Sequence, residues 1–263
     1  MTARLRILTL FLLAGAFAAR GQDLRTGVAT PDVGFLAAGE YLAWLDAEGN
    51  VLRTRPLDRT LTALVESGGR WYALDTDGLE LLELDEKGQV LRQEPLPAQG
   101  RLCGLAADGN VLWAVTDAGE ILHGGSSGWT VFDFNAQYAG YYPPMAFWAV
   151  AAGGGSVMVA GTGPDGVPAA FTSARGAVWS ERTLTYSEGG STFSFSALPM
   201  SLSYDAAQDR FYLVGGDEEL ALPGCSQCNS LTRYPVRMLY ARIPGGTKNL
   251  LLGSDGFRRV EER

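Results

Sequence analysis

Histidine is almost absent from this chain: His123 is the single copy in 263 residues, lysine occurs twice (Lys87 and Lys248) and cysteine three times. With no second histidine and no nucleophile elbow set between a strand and a helix, Ser–His–Asp chemistry has no visible support. A zinc site needs about four ligands, so it would have to gather Cys103, His123, Cys225 and Cys228. The chain is acidic, with a formal net charge of −8. That balance, poor in lysine, disfavours a grip on a phosphate backbone, and no nucleic-acid partner is expected. After the first twenty residues no long apolar run occurs, so no membrane-spanning segment is expected in the mature chain.

The start reads as an export leader. Arg4 and Arg6 form a basic patch, Ile7 to Ala18 is mostly apolar, and Ala16-Phe17-Ala18 offers small residues for cleavage. We expect a signal peptide over 1–18 and a single domain over 24–263. Removing two arginines and no acid moves the net charge from −8 to −10. The expected location is the periplasm, or the outside of the cell or its surface. No cysteine follows the apolar run, which argues against a lipid anchor.

What the chain does have is repetition. Leu45-Asp46-Ala47-Glu48-Gly49-Asn50-Val51-Leu52-Arg53-Thr54-Arg55-Pro56-Leu57 returns as Leu84-Asp85-Glu86-Lys87-Gly88-Gln89-Val90-Leu91-Arg92-Gln93-Glu94-Pro95-Leu96, 39 residues later. A period near 40 built of short strands indicates a β-propeller. In the second repeat, strands are expected over 61–66, 70–75, 79–84 and 89–94, separated by Ser67-Gly68-Gly69, Asp77-Gly78 and Lys87-Gly88 turns. The grammar recurs to the end of the chain. First strands are rich in small residues (Gly104, Ala106, Ala149, Ala151, Ser201, Ser203), as crowding around a central axis requires. About 23 strands are counted. The fold class is therefore all-β, a single β-propeller of six blades, with one blade three-stranded or completed by the N-terminal strand near 24–29. Five blades remain open if the C-terminal hairpin packs outside the ring.

Several repeats resemble the bacterial neuraminidase repeat, or Asp-box, propellers, which include sialidases and exported assembly-factor-like propellers. The segment Ala149 to Gly161, with Ser173 and Trp179 after it, carries the likeness, and Ser127-Gly128-Trp129 and Ser254-Asp255-Gly256-Phe257 are fragments of the same box. Arg175 stands where the box has aspartate, and no copy is intact. The resemblance implies a propeller over most of the mature chain. A sialidase-like hydrolase would need an arginine triad, a tyrosine nucleophile helped by glutamate, and an acid/base aspartate. Arg242-Ile243-Pro244 echoes one arginine motif, but near the wrong end of the domain. No catalytic residue is assigned.

Cys225-Ser226-Gln227-Cys228 follows Pro223-Gly224 between two expected strands, so Cys225 and Cys228 are candidates for a small disulfide closing a turn. Asp46 to Asn50 and Asp75 to Gly78 could attract calcium, yet Asp, Asn and Gly are also what hairpin turns use, and no metal or cofactor is assigned. The best candidate binding surface is the insert Phe134 to Pro144, whose Tyr138, Tyr141 and Tyr142 stand beside two prolines, with Trp148 just beyond. A second long connection, 185–198, carries Phe193 and Phe195. The reading that follows is a non-catalytic binding or assembly module for a protein, peptide or glycan, with a sialidase-like hydrolase as the alternative.

Overall fold

The computed structural model describes residues 24–30, 34–125 and 128–263; the leader expected at 1–18 and Ser127 lie outside them. Strands follow one another as antiparallel meanders. Blade 1 holds β1 (Leu24–Thr30), β2 (Gly34–Gly39), β3 (Tyr41–Leu45) and β4 (Val51–Pro56). Blade 2 holds β5 (Leu61–Ser67), β6 (Arg70–Asp75), β7 (Leu81–Leu84) and β8 (Val90–Glu94). Blade 3 holds β9 (Leu102–Asp108), β10 (Val111–Thr116), β11 (Glu120–Gly125) and β12 (Gly128–Asp133). A one-turn helix, α1 (Phe134–Gln137), leads into blade 4, formed by β13 (Ala146–Gly153), β14 (Ser156–Thr162), β15 (Pro168–Ser173) and β16 (Ser180–Arg182). A separate hairpin, β17 (Thr185–Glu188) and β18 (Ser191–Ser194), precedes blade 5, which has β19 (Ser201–Asp205), β20 (Arg210–Gly215), β21 (Glu218–Pro223) and β22 (Ser230–Arg233). Blade 6 has three strands, β23 (Leu239–Gly245), β24 (Lys248–Gly253) and β25 (Arg258–Glu262).

The ring has six blades, and of the two ways offered for filling the last one the three-stranded form is correct. The N-terminal strand does not complete blade 6: β1 pairs with β2 as the innermost strand of blade 1. The ends of the ring meet by packing instead. Leu24, Phe35 and Ala37 of blade 1 lie against Ala241, Ile243 and Leu252 of blade 6, and a Cβ on Gly27 would stand 2.5 Å from Ile243 Cδ1. Six apolar clusters fill the six interfaces between neighbouring blades, one each. Such a molecule is held together between repeats as much as within them.

The repeated phrase lies at the turn between third and fourth strands. Asp46 Oδ1 accepts from the N–H of Glu48 (3.0 Å) and Asn50 (2.8 Å). Asp85 Oδ1 accepts from Lys87 (2.8 Å) and Gln89 (2.7 Å) in the same way. These Asx turns use the acidic side chains to hold backbone, so they are not free carboxylates awaiting a cation. Gly49, Gly88 and Gly176 follow with φ of +82°, +74° and +75°, and each turn leans back on the preceding blade. A Cβ on Gly49 would lie 2.9 Å from Val260 Cγ2 of blade 6, and one on Gly176 would lie 2.7 Å from the Trp113 ring of blade 3. On Gly88 it would run into Leu42 of blade 1. Arg55 adds a 2.6 Å bond to the carbonyl of Lys87. The phrase is a latch between blades.

Candidate functional site

Fourth-to-first and second-to-third connections open on one face of the ring; first-to-second and third-to-fourth turns lie on the other. The inner strands β1, β5, β9, β13, β19 and β23 surround a channel of about 240 Å³. They approach closely because their residues are small: a Cβ on Gly104 would lie 3.0 Å from the carbonyl oxygen of Trp148 in the next blade.

Five of these six inner strands slip register at the same place, near their first residue: between Leu24 and Thr26, Leu61 and Ala63, Leu102 and Gly104, Phe147 and Ala149, and Leu239 and Ala241. The residues left over are Arg25, Thr62, Cys103, Trp148 and Tyr240. All five line one cavity of about 280 Å³ at the channel mouth, on the face of the fourth-to-first connections. β-bulges re-aim a side chain where regular alternation would bury it. The pattern has a common cause: the preceding residue (Leu24, Leu61, Leu102, Phe147, Leu239) is buried between blades, the following one is small, and the extra residue must turn outward.

The rest of the mouth comes from adjoining turns. Leu198, Pro199 and Met200 form one wall, fixed by a bond from Met200 N–H to the Val214 carbonyl (2.8 Å). Arg101 and Asp75 supply opposite charges. Arg101 is held by its N–H on Asp117 Oδ1 (2.8 Å) and by its guanidinium 3.5 Å from Asp117 Oδ2. Asp75 accepts from Arg59 (3.4 Å) and from Gly78 N–H (3.0 Å). The Trp148 indole N–H donates to Thr162 Oγ1 at 3.1 Å, which fixes the ring while leaving it half-buried at the rim. Arg25 sits 5.9 Å from the Tyr240 ring centre. Burial pushes the Cys103 thiol above its ordinary pKa, with Asp117 adding to the shift, so it stays protonated at neutral pH. Cations, an acid, two aromatics and aliphatic groups thus converge without a nucleophile paired to a base, a set suited to recognition.

Sequence reasoning named Trp148 as a candidate but not the ring of bulged residues in which it stands. The signal was there: a large apolar residue, a variable one, then a small one at the start of each first strand. Seeing it requires aligning the blades by their inner strands, whereas the conspicuous repeat lies at the outer turns.

The aromatic insert is divided. Tyr141 is 84% exposed. Tyr138 and Tyr142 are half-buried in the cluster between blades 3 and 4. The Tyr138 hydroxyl accepts from Trp179 N–H (2.8 Å) and donates to the Trp179 carbonyl (3.1 Å), while Tyr142 packs edge-on against Phe171 with centroids 5.0 Å apart. Phe195 is buried between blades 4 and 5, and Phe193 is exposed, stacked on Tyr186 at 5.8 Å. Phe134, Tyr138 and Tyr142 of the first insert and Tyr186 and Phe195 of the second fill grooves flanking blade 4. Trp148 alone of the six candidates lines the mouth.

A tyrosine, a glutamate and an arginine do meet, but inside the protein. Tyr234 O–H donates to Glu219 Oε1 (3.2 Å), Arg242 donates to the same oxygen (2.5 Å), and the guanidinium stacks on Tyr212 at 3.7 Å. All three are sealed between blades 5 and 6. Burial, then the Glu219 charge, pushes the Tyr234 phenol up, the wrong direction for a nucleophile. Arg242 therefore acts as an interblade clamp. His123 stacks on Trp113 with ring centres 4.8 Å apart, and no group of three or more metal-ligating side chains is gathered among the described residues. Cys225 and Cys228 lie at the short 3-10 turn Ser226–Cys228, both exposed and both thiols in this structure. No helix among the described residues is long and apolar enough to cross a membrane.

No protein-family model matches the chain, and no curated protein matches it by sequence. Solved structures do match. Virginiamycin B lyase from Staphylococcus aureus superposes with a TM-score of 0.57 at 11% identity, over 92% of this chain and 84% of that one. YCF48 from Cyanidioschyzon merolae gives 0.60 at 13% identity, over 92% and 96%. The WD40 domain of Pan2 from Neurospora crassa gives 0.54 at 12%, over 90% and 74%. At these identities the likeness establishes architecture alone: this chain is a six-bladed β-propeller.

Proposed function

We propose that this propeller is a non-catalytic binding or assembly module that receives a protein or peptide segment at the channel mouth. The observation that carries the reading is the five-fold recurrence of a bulge at one position of the inner strands, which places Arg25, Thr62, Cys103, Trp148 and Tyr240 around one opening. A cavity of about 280 Å³ lies at the small end for enclosing a whole small molecule, for which about 300–1,000 Å³ is usual. It suits one or two side chains at the tip of a loop. Arg25 and Arg101 against Asp75 favour a tip carrying an acidic group, with Trp148 and Met200 receiving an apolar neighbour. The WD40 neighbours lend support at the level of fold, since a rigid ring presents loops without moving them.

A glycan is the second occupant considered, because Trp148 and Tyr240 offer aromatic faces. Export belongs to the same proposal and rests on the leader-like pattern of residues 1–18. Descent from Asp-box repeats is favoured by the turn of blade 4: Ser173 Oγ accepts from Gly176 N–H (2.8 Å), and the buried Trp179 indole donates to the Gly176 carbonyl (3.1 Å).

A thermal-shift screen of the chain from residue 19 onward against acidic–aromatic peptides and a glycan panel tests this. Binders of the wild type should lose at least about tenfold in affinity, or ~1.4 kcal/mol, with Trp148→Ala or Arg101→Glu, while Tyr141→Ala leaves them unchanged. Loss with Tyr141→Ala and retention with the mouth variants would move the site to the insert. Turnover of glycosides would replace the binding reading by a hydrolase.

A further inference from the structure

In blade 5 the turn between third and fourth strands, where blades 1, 2 and 4 carry their latch glycines, contains two cysteines instead. We infer that Cys225 and Cys228 form a thiol–disulfide exchange couple in which Cys225 is the attacking residue, Cys228 resolves, and the substrate is a small, anionic disulfide. Cys228 N–H donates to the Cys225 carbonyl at 3.1 Å, so the pair spans a hydrogen-bonded β-turn. Such turns keep the end Cα atoms within about 7 Å, which overlaps the roughly 4.4–6.8 Å span that a disulfide bridges. Both residues are exposed, so an incoming sulfur can reach them.

The surroundings make the two thiols unequal. The Cys225 thiol is lowered below its ordinary pKa, first by the hydrogen bond it shares with Cys228, then by the N–H of Gln227, with the Arg182 charge adding a smaller pull. Cys228 is raised by the same shared bond. Arg182 from blade 4 is anchored on the turn, donating to the carbonyls of Pro223 and Gly224. A cavity of about 260 Å³ reaches Pro223 and Gly224, next in the chain to Cys225; its Arg182 supplies a cation for a substrate carboxylate, with Asp209, the acid in the same cavity, bonded by the Tyr204 hydroxyl at 2.7 Å. The lone half-buried Cys103, held up by burial, is an internal reference for an unreactive thiol.

The step balances with a low-molecular-weight disulfide, RSSR, as oxidant. The Cys225 thiolate attacks one sulfur and the S–S bond breaks. One RS⁻ departs, taking the proton that Cys225 released. Cys228 then loses its proton and attacks Cys225 Sγ, expelling the second RS⁻, which takes that proton. Two protein thiols become one disulfide and RSSR becomes two RSH. The closed bridge fixes the turn on which blade 4 holds blade 5.

The test uses the chain from residue 19 onward, reduced, then treated with oxidised glutathione and read by intact mass after alkylation. Wild type should lose two alkylatable thiols and retain no glutathione. Cys228→Ser should retain one glutathione, mapped to Cys225, and Cys225→Ser should react measurably more slowly than wild type. Both side chains are exposed, and an unchanged circular-dichroism spectrum confirms the fold of each variant. The inference is overturned if wild type keeps both thiols, if glutathione in Cys228→Ser maps to Cys103, or if Cys225→Ser reacts at the wild-type rate.

Discussion

At the scale of single residues, the fate of a side chain is decided by which blade faces it. Arg242 resembles a sialidase arginine when read along the chain, and it is a buried clamp because Glu219 and Tyr212 of the neighbouring blade surround it. Tyr138 reads as a binding aromatic, and its hydroxyl is consumed by the Trp179 backbone 41 residues on. Neither outcome is written locally. The Asx turns at Asp46 and Asp85 are legible, because both partners lie within four residues. Tyr234 gives the sharpest residue-level prediction. Burial and the nearby Glu219 carboxylate push its phenol well above the ordinary 10.0. The folded protein keeps a proton that the unfolded chain releases near pH 10, so this contribution is fully present below that pH and fades as pH rises toward the folded value. The slope is up to ~1.4 kcal/mol per pH unit. Tyr234→Phe should lose about 1–3 kcal/mol at pH 7 with its bond to a charged acceptor, yet decline less steeply above pH 10 in urea titrations. Parallel profiles would show that Tyr234 does not carry the alkaline sensitivity.

At the scale of elements, the third-to-fourth-strand turn is the unit that repeats, and its work is done on the blade behind it. Glycine at these positions satisfies two demands, a left-handed backbone and close contact with a neighbour's side chain. The two can be separated. Gly69, in the first-to-second-strand turn of blade 2, has φ of +78° and open space where a Cβ would go, while the latch residue Gly88 has φ of +74° and the Leu42 side chain in the way. Gly69→Ala should destabilise by about 1 kcal/mol, the strain alone, and Gly88→Ala by about 2–4 kcal/mol through strain plus overpacking. Equal losses in denaturant midpoints would contradict the latch. The elements that sequence reading took for loops obey the same rule. The 185–198 connection holds a hairpin that packs Tyr186, with Phe195 just after it, between blades 4 and 5, and Arg233 on the outer strand of blade 5 adds bonds to Glu188 (3.2 Å) and the Tyr186 hydroxyl (3.0 Å). Its pattern of serines and glycines gives little hint of that, since the partner is nearly 50 residues away.

At the scale of the whole molecule, six repeats make six interfaces, and a ring closes without a shared sheet. Period, turn chemistry and small inner residues were enough to read the propeller from sequence; whether the last blade has three strands or is completed by the N-terminal strand depended on β1 pairing with β2. The interface between blades 5 and 6 has the smallest apolar cluster, Val214, Tyr234, Leu239 and Leu251, and there the Glu219–Arg242 pair supplements packing. Symmetry also explains the mouth, because one bulge repeated five times builds a site that no single blade contains. The central claim is that this mouth receives the partner. Hydrogen exchange of the chain with and without the peptide giving the largest thermal shift tests it most directly. Protection should appear in 99–103, 146–149 and 198–202 around the bulged residues. Protection confined to the opposite face, at 46–50 and 85–89, or to 138–142, would contradict it.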